Sequence, residues 1–240
     1  MVAYFNADLM PNPNKEYVCF IDIMGFQNKM NHSVKQASNF MFKLHSMLLE
    51  AWRIKGYDSI SVYPIMDGAY ITSRKKNELL NLLSLVYNTL IKSLTDTGNY
   101  SFWYMVRASI AFGNTIHGRN IPYSACPEFS CRVGYKEQLL VGPAMIDAYS
   151  HEKCAAPMGI HICESSSTIF RGINSQWKWY SNSNTKTDPL LLQDFTSKFL
   201  EYFTWLNETS TETEYPLDKR KDHARKACEY FGITLPELIA

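Results

Sequence analysis

Between Tyr17 and Ile23 the chain reads YVCFIDI, almost unbroken in apolar and β-branched residues. That is the pattern of a strand buried on both faces, and one charge, Asp22, interrupts it near its C-terminal end. From Ser33 the period changes. Ser33 and Gln36 have the form of a capping box, and Ala37, Phe40, Met41, Leu44, Met47, Leu48 and Ala51 then recur at helical spacing. This predicts a helix over Ser33–Trp52 with one stripe facing a core. Two short strands, Ser59–Tyr63 and Ala69–Thr72, flank the run Pro64-Ile65-Met66-Asp67-Gly68. Asp-Gly is a turn signal, so the two strands pair as a hairpin with Asp67 at or beside its tip. Leu79, Leu83, Val86, Leu90 and Leu94 predict a second amphipathic helix over Asn77–Leu94.

Ser101–Phe112 predicts a long strand whose even positions are apolar and whose odd positions include Arg107. Gly113–Glu137 is rich in turn residues and reads as loops. Val141–His151 predicts a helix opened by Gly-Pro, since proline suits a first helical turn. Gly159–Cys163 and Trp177–Tyr180 read as strands, and Ser181–Asp188 as a polar loop. From Pro189 to the end the pattern is helical, with a polar break over Asn207–Tyr215. No internal repeat interrupts this order. Strand, helix, hairpin, helix, strand, helix, strand predicts an α+β layer with an antiparallel-rich sheet of ferredoxin-like kind.

Composition narrows the class. The 240 residues are 46% hydrophobic and 20% charged, with a formal net charge of +1, which suits one globular unit and calls for no nucleic-acid or membrane partner. No apolar run approaches the ~20 residues a membrane span needs. The N-terminus does not read as a secretory signal. The six cysteines lack disulfide-framework spacing, so they are expected as reduced thiols in a cytoplasmic protein. Cys126, Cys131, His151, Cys154, His161 and Cys163 include no C-x2-C pair, and no zinc site is expected of them. Asp147 and Glu152 read as surface or interface charges. The basic run Lys219, Arg220, Lys221, Arg225, Lys226 reads as a solvated helix face.

Two segments carry chemistry. A carboxylate at the end of a buried strand is costly unless it is paired or bound to a cation. After Asp22, Gly25 permits a tight turn, and the backbone N–H groups of Met24, Gly25 and Phe26 are candidates to hold phosphate oxygens. The hairpin is expected to lie beside the first strand and bring Asp67 to the same place. Two hard carboxylates with nucleotide phosphates suit Mg²⁺ or Mn²⁺, and a two-metal site suits in-line phosphoryl displacement. Tyr63, held extended by Pro64, is a candidate to stack on a base or narrow a pocket. Arg107 is a candidate to donate to a base or to phosphate. Packing explains Tyr63 equally well, and a buried ion pair explains Arg107.

The run Phe20-Ile21-Asp22-Ile23-Met24-Gly25-Phe26 resembles the first metal-binding motif of class III nucleotidyl cyclases. Tyr63-Pro64-Ile65-Met66-Asp67-Gly68 is similar to their second. Val106–Gly113 resembles the strand that follows, and Val141–Glu152 their later helix. No GG[DE]EF run, the mark of diguanylate cyclases, appears. Where adenylyl cyclases carry a purine-selecting lysine, this chain has Tyr63. Where the family carries a transition-state asparagine and arginine, it has Ile146 and Ser150. That combination resembles the stand-alone pyrimidine cyclases of bacterial Pycsar antiphage systems.

The resemblance implies a catalytic domain over 16–188, an N-terminal arm over 1–15, and a C-terminal helical extension over 189–240 packed on the same domain. It implies conversion of UTP, or CTP, to the 3′,5′-cyclic monophosphate and pyrophosphate, with two Mn²⁺ or Mg²⁺ ions held by Asp22, Asp67 and the main chain of Ile23. It further implies a homodimer with shared active sites, and a separately encoded effector that senses the cyclic nucleotide in antiphage defence. Arg107 and Arg132 are the candidates to replace the missing arginine. An adenylyl or guanylyl cyclase, or a degenerate cyclase domain that only binds nucleotide or a partner, are the competing readings.

Overall fold

The computed structural model describes residues 5–170, 175–211 and 215–235. Strands β1 (Asn14–Ile23), β2 (Ile60–Ile65), β3 (Gly68–Ser73), β4 (Val106–His117), β5 (Leu140–Val141), β6 (Ile160–Ile162) and β7 (Gln176–Trp177) join one sheet. Its helices are α1 (Phe26–His32), α2 (Val34–Lys55), α3 (Lys76–Thr95), α4 (Val133–Glu137), α5 (Pro143–His151), α6 (Glu164–Ser167), α7 (Pro189–Thr209) and α8 (Leu217–Phe231).

The sheet runs β2-β3-β1-β4-β6-β7, with β5 pairing β4. Its first four strands are antiparallel, and with the helices after β1 and β3 they make the split βαββαβ arrangement of ferredoxin-like folds. The β4–β6 pairing is parallel, so the whole sheet is mixed. The fold is therefore α+β, as the order of elements predicts, with C-terminal helices added.

Alternation along β1 sorts the two faces. Tyr17, Cys19, Ile21 and Ile23 enter the main core with Phe40, Leu44 and Leu48 of α2 and Leu79, Leu83, Val86 and Leu90 of α3. Val18 and Phe20 point the other way, into a smaller cluster with Tyr63, Tyr70 and Ala111, capped by Ala144 and Ala148 of α5. Asp22 shares the α5 face by parity. Ser33 caps α2 by accepting from the Gln36 amide at 3.2 Å, and left-handed Gly56 (φ 59°) ends it.

Several boundaries differ from expectation. Tyr100–Phe102 is a 3₁₀ turn, and the long strand starts only at Val106 and runs through the supposed loop to His117. Its last part is held by polar rather than apolar burial. Thr115 and His117 are buried and bond Glu16 of β1, at 3.1 and 2.7 Å. Beyond it lie short 3₁₀ turns and α4. Strand β7 ends at Trp177, and Trp179–Ser181 is a 3₁₀ turn. The polar break at Asn207–Tyr215 covers the last turn of α7 and part of the connection to α8, with 212–214 outside the described residues. Helix α7 packs onto the main core through Phe195, Phe199, Tyr202 and Phe203, with Phe195 and Tyr202 against Trp103.

Candidate active site

Asp22 is the next-to-last residue of β1, the strand flanked by β3 and β4, and its register partner on β4 is Arg107. The tip between β2 and β3 is made by Met66 and Asp67, and Met66 takes φ +48°, an uncommon conformation for a residue with a side chain. Gly68 explains how the tip reaches Asp22. A Cβ placed there would stand 2.4 Å from the Ile21 carbonyl oxygen and 3.2 Å from Asp22 Oδ1. Only glycine lets the hairpin lie this close to β1. The Asp22 and Asp67 carboxyl groups lie close enough for each to shift the other's titration. His45 of α2 lies near the tip: burial lowers its imidazole, and the Met66 backbone and the Asp67 charge oppose that lowering.

This pair is electrostatically costly by itself. Burial, then repulsion from Asp67 and Glu152, pushes the Asp22 carboxyl up to about 7. Burial also raises Asp67. Without a cation the two carboxylates share a proton, because like charges this close cannot both ionise cheaply. A divalent cation removes the conflict by binding both in ionised form, so the donor set fits Mg²⁺ or Mn²⁺.

The carboxylates open into a cleft of about 970 Å³, lined by Asp22, Ile23, Met24, Gly25, Phe26, Asp67 and Arg107 among others. The Ile23 and Phe26 side chains are buried in the main core, so what they offer the cleft is main chain. Gly25 is left-handed (φ 70°), as the tight turn after Asp22 requires, and precedes α1, a short helix that the sequence pattern does not predict. Met24 departs from expectation: its amide already donates to the Met105 carbonyl at 2.9 Å, so it is not open to a phosphate.

Arg107 lies in the cleft, but its Nε is 2.6 Å from Glu152 Oε1, and both side chains are largely buried. The ion pair is thus the arrangement found. It corrects the reading of Glu152 as a surface charge, because Glu152 lies beyond the end of α5 in a 3₁₀ turn and is 3% exposed.

Tyr63 is not among the cleft's residues. It is buried on the α5 face, and its hydroxyl bonds His117 Nδ1. His117 Nε2 is 2.7 Å from Glu16 Oε2, near the opposite end of β1 from Asp22. Arg132 also lies outside the cleft, and its Nη1 donates to the Cys131 carbonyl at 3.1 Å.

The far wall was not foreseen. Tyr202, Trp205 and Leu206 of α7, and Lys219, Asp222 and His223 of α8, line the cleft opposite the carboxylates. Lys29 and Lys153 add further positive charge. Burial, then the Arg107 charge, pushes His223 down to about 4, and its Nδ1 is 2.5 Å from the Tyr215 hydroxyl. Arg220 is buried rather than solvated, donating to the carbonyls of Leu206 and Asn207 at 2.9 and 3.2 Å, and so ties α8 to the end of α7. Among the described residues no helix is long and apolar enough to cross a membrane.

No protein-family model matches the chain, and no curated protein matches it. Solved structures similar to it are cyclase domains. An adenylate/guanylate cyclase/hydrolase from Silicibacter pomeroyi aligns at a TM-score of 0.49 and 13% identity, over 68% of this chain and 93% of that one. The guanylate cyclase domain of RhGC from Catenaria anguillulae, solved with GTP, aligns at 0.46 and 15%, over 66% and 82%. The adenylyl cyclase CyaB from P. aeruginosa aligns at 0.46 and 11%, over 66% and 81%.

Proposed function

We propose that this protein is a metal-dependent nucleotide cyclase, closing a nucleoside triphosphate to its 3′,5′-cyclic monophosphate with release of pyrophosphate. The observation that carries the reading is the contact of Asp22 with Asp67 at the floor of an open cleft, at a separation only Gly68 permits. Structural carboxylates are normally paired with cations of the protein itself. Here the cation across the strand pair from Asp22, Arg107, is held by Glu152.

Asp22, Asp67 and the Ile23 main chain would hold the divalent ions, Mn²⁺ or Mg²⁺, two per site. When bound, such ions lower the pKa of the ribose 3′-hydroxyl and neutralise charge on the phosphates. The chain's own contribution is placement. The turn at Gly25 and Phe26 sits at the end of β1, beside Asp22, where phosphate oxygens have main-chain N–H groups to meet. Lys29, Lys153 and Lys219 give the cleft positive charge toward a triphosphate. Trp205 and Tyr202 make an apolar wall that limits water.

The favoured substrate is a pyrimidine nucleotide, UTP before CTP. This rests on Tyr63 at the position where purine cyclases of the resembling family carry their selector, and on the absence of their asparagine and arginine at Ile146 and Ser150. Tyr63 lies outside its own protomer's cleft, so any contact with the base runs through a second protomer. Exposed Ile65, Ile146 and Tyr149 lie on the same α5 face, with Met66 at the adjoining tip, and give a homodimer an apolar surface to bury. The physiological role we infer is a second messenger in antiphage defence, read by a separately encoded effector.

The test is incubation of purified protein with Mn²⁺ and ATP, GTP, CTP or UTP singly, with products identified by mass spectrometry and Asp67→Asn as control. A cyclic pyrimidine nucleotide absent from the control supports the reading. A cyclic purine nucleotide keeps the enzyme class and overturns the substrate. No product from any of the four favours a nucleotide-binding module.

A further inference from the structure

Asp147 and His151 stand one turn apart on α5 and project from the same side of it. The other wall of the crevice they face is the end of β6. That strand runs parallel to β4, and Cys163, the residue after it, is fixed by its amide donating to the Ile110 carbonyl at 2.9 Å. Helix α5 is fixed on the same strand, the Ser109 hydroxyl donating to the Ala148 carbonyl. Two independent elements therefore bring three side chains together. One donor atom from each of Asp147, His151 and Cys163 falls within 4.8 Å of the others. Asp147 Oδ1 and His151 Nδ1 are 2.9 Å apart.

Those spacings suit one ion. In a tetrahedral zinc site with bonds of ~2.0–2.3 Å, neighbouring donors are roughly 3.3–3.8 Å apart. The cluster reaches that geometry by movements of about 1 Å, within the rotamer freedom of the half-exposed imidazole and carboxylate. Ser165 donates to Asp147 Oδ2, the kind of outer bond that orients a ligating carboxylate. His161 adds an independent sign of unmet polarity. Its ring lies nearly parallel to that of His151 at 6.1 Å, and its buried Nδ1 has no hydrogen-bond partner among the described residues.

We propose that Asp147, His151 and Cys163 form a zinc site with three protein ligands and a fourth position open to solvent. A sulfur, nitrogen and oxygen donor set selects Zn²⁺ over the Mg²⁺ and Mn²⁺ suited to the two aspartates. The site is distinct from the Asp22–Asp67 pair. It clips the end of α5 to the end of β6, directly before Glu152, the residue that holds Arg107 in the cleft. The chain has no C-x2-C pair, the spacing that marks a zinc site in a sequence. The ligands instead come from a helix and a strand end, and one of them is the aspartate.

The probe is Co²⁺ added to chelator-stripped protein and followed by absorption, which reads binding without any turnover. With Mn²⁺ present to occupy the Asp22–Asp67 pair, the expected result is a sulfur-to-cobalt charge-transfer band that saturates at one equivalent of Co²⁺ and is displaced by Zn²⁺. Cys163→Ser removes the band, His151→Gln and Asp147→Asn weaken binding about tenfold or more, and Cys154→Ser leaves it in place. Absence of the band, or its survival in Cys163→Ser, overturns the proposal. If Cys163→Ser does not fold, unchanged Co²⁺ affinity in both His151→Gln and Asp147→Asn overturns it equally. Failure of the cyclase assay has no bearing on this result.

Discussion

Replacing Gly68 by alanine adds a single methyl group at the point where the hairpin meets β1. Its Cβ would lie 2.4 Å from the Ile21 carbonyl oxygen and 3.3 Å from Asp22 Cα, and both are backbone atoms of an interior strand that cannot rotate aside. Restoring ordinary contact means moving from 2.4 Å to 3.4 Å, so the tip carrying Asp67 must retreat by about 1 Å. A displacement of that size in a catalytic constellation costs on the order of 10²-fold, or about 2.7 kcal/mol in the barrier. The overpacking itself costs about 1–3 kcal/mol of stability. The assay is pyrophosphate release with Mn²⁺ and the preferred nucleotide, alongside urea unfolding and a Mn²⁺ titration. The expected variant folds, needs more Mn²⁺ and loses about 10²-fold in kcat/KM. Gly98→Ala is the matched control, since a Cβ there meets nothing within 4 Å. Wild-type activity and stability in Gly68→Ala would refute the claim that this close approach sets the site.

Four further outcomes follow from buried charge. Because the folded state keeps a proton on Asp22 up to about 7, above the carboxylate's ordinary value, the metal-free protein loses stability as pH rises from about 4 to about 7 and then levels. Unfolding curves across that range should show this, with Mn²⁺ abolishing the loss and Asp67→Asn flattening the slope. Arg107→Ala leaves Glu152 buried and unpaired, and should cost about 3–5 kcal/mol in urea unfolding. Glu152→Gln relieves Asp22 of a repelling charge, so Mn²⁺ binding followed by calorimetry should reach its plateau at lower pH than in the parent. At Glu16 burial raises the carboxyl, but bonds and charge from His117, then Thr115 and Arg74, outweigh it and hold the group below its ordinary value. That stability is present above the ordinary carboxylate pKa and is lost as pH falls through the lower folded one. Glu16→Gln should therefore unfold more easily at neutral pH and show a shallower acid limb.

What the sequence made legible was local. Asp22 stood out as the one charge in an apolar strand. Asp67 stood out through its glycine, and Ser33 with Gln36 marked a helix start that the structure keeps. The rest depended on contacts distant in the chain or on polar burial. Strand β4 continues past Gly113 because Thr115 and His117 are buried against Glu16, and no hydropathy pattern marks buried polar residues. Helix α1 buries only Phe26 and so has no apolar stripe to reveal it. Lys219 and His223 come to line the same cleft as Asp22 through a helix that Arg220, read as a solvated charge, helps to hold on the carbonyls ending α7. Tyr63 occupied the position where a base reader was sought, but its hydroxyl is committed to His117.

The two sides of the cleft are tied to the molecule in different ways. Asp22 belongs to a strand hydrogen-bonded along both edges, so its backbone is freed only when the whole sheet comes apart, and amides such as those of Phe20 and Ile21 should be among the last to exchange. The wall opposite is held by contacts of side chains: the rings of α7 against Trp103, Tyr230 and Phe231 of α8 against Trp179 and Tyr180, and Arg220 on the carbonyls ending α7. Substitutions on α7 and α8 can therefore reshape what the cleft admits while the carboxylate floor stays where it is. If the proposed activity holds, a scaffold of this kind is free to change its choice of nucleotide over generations without surrendering the chemistry performed on it.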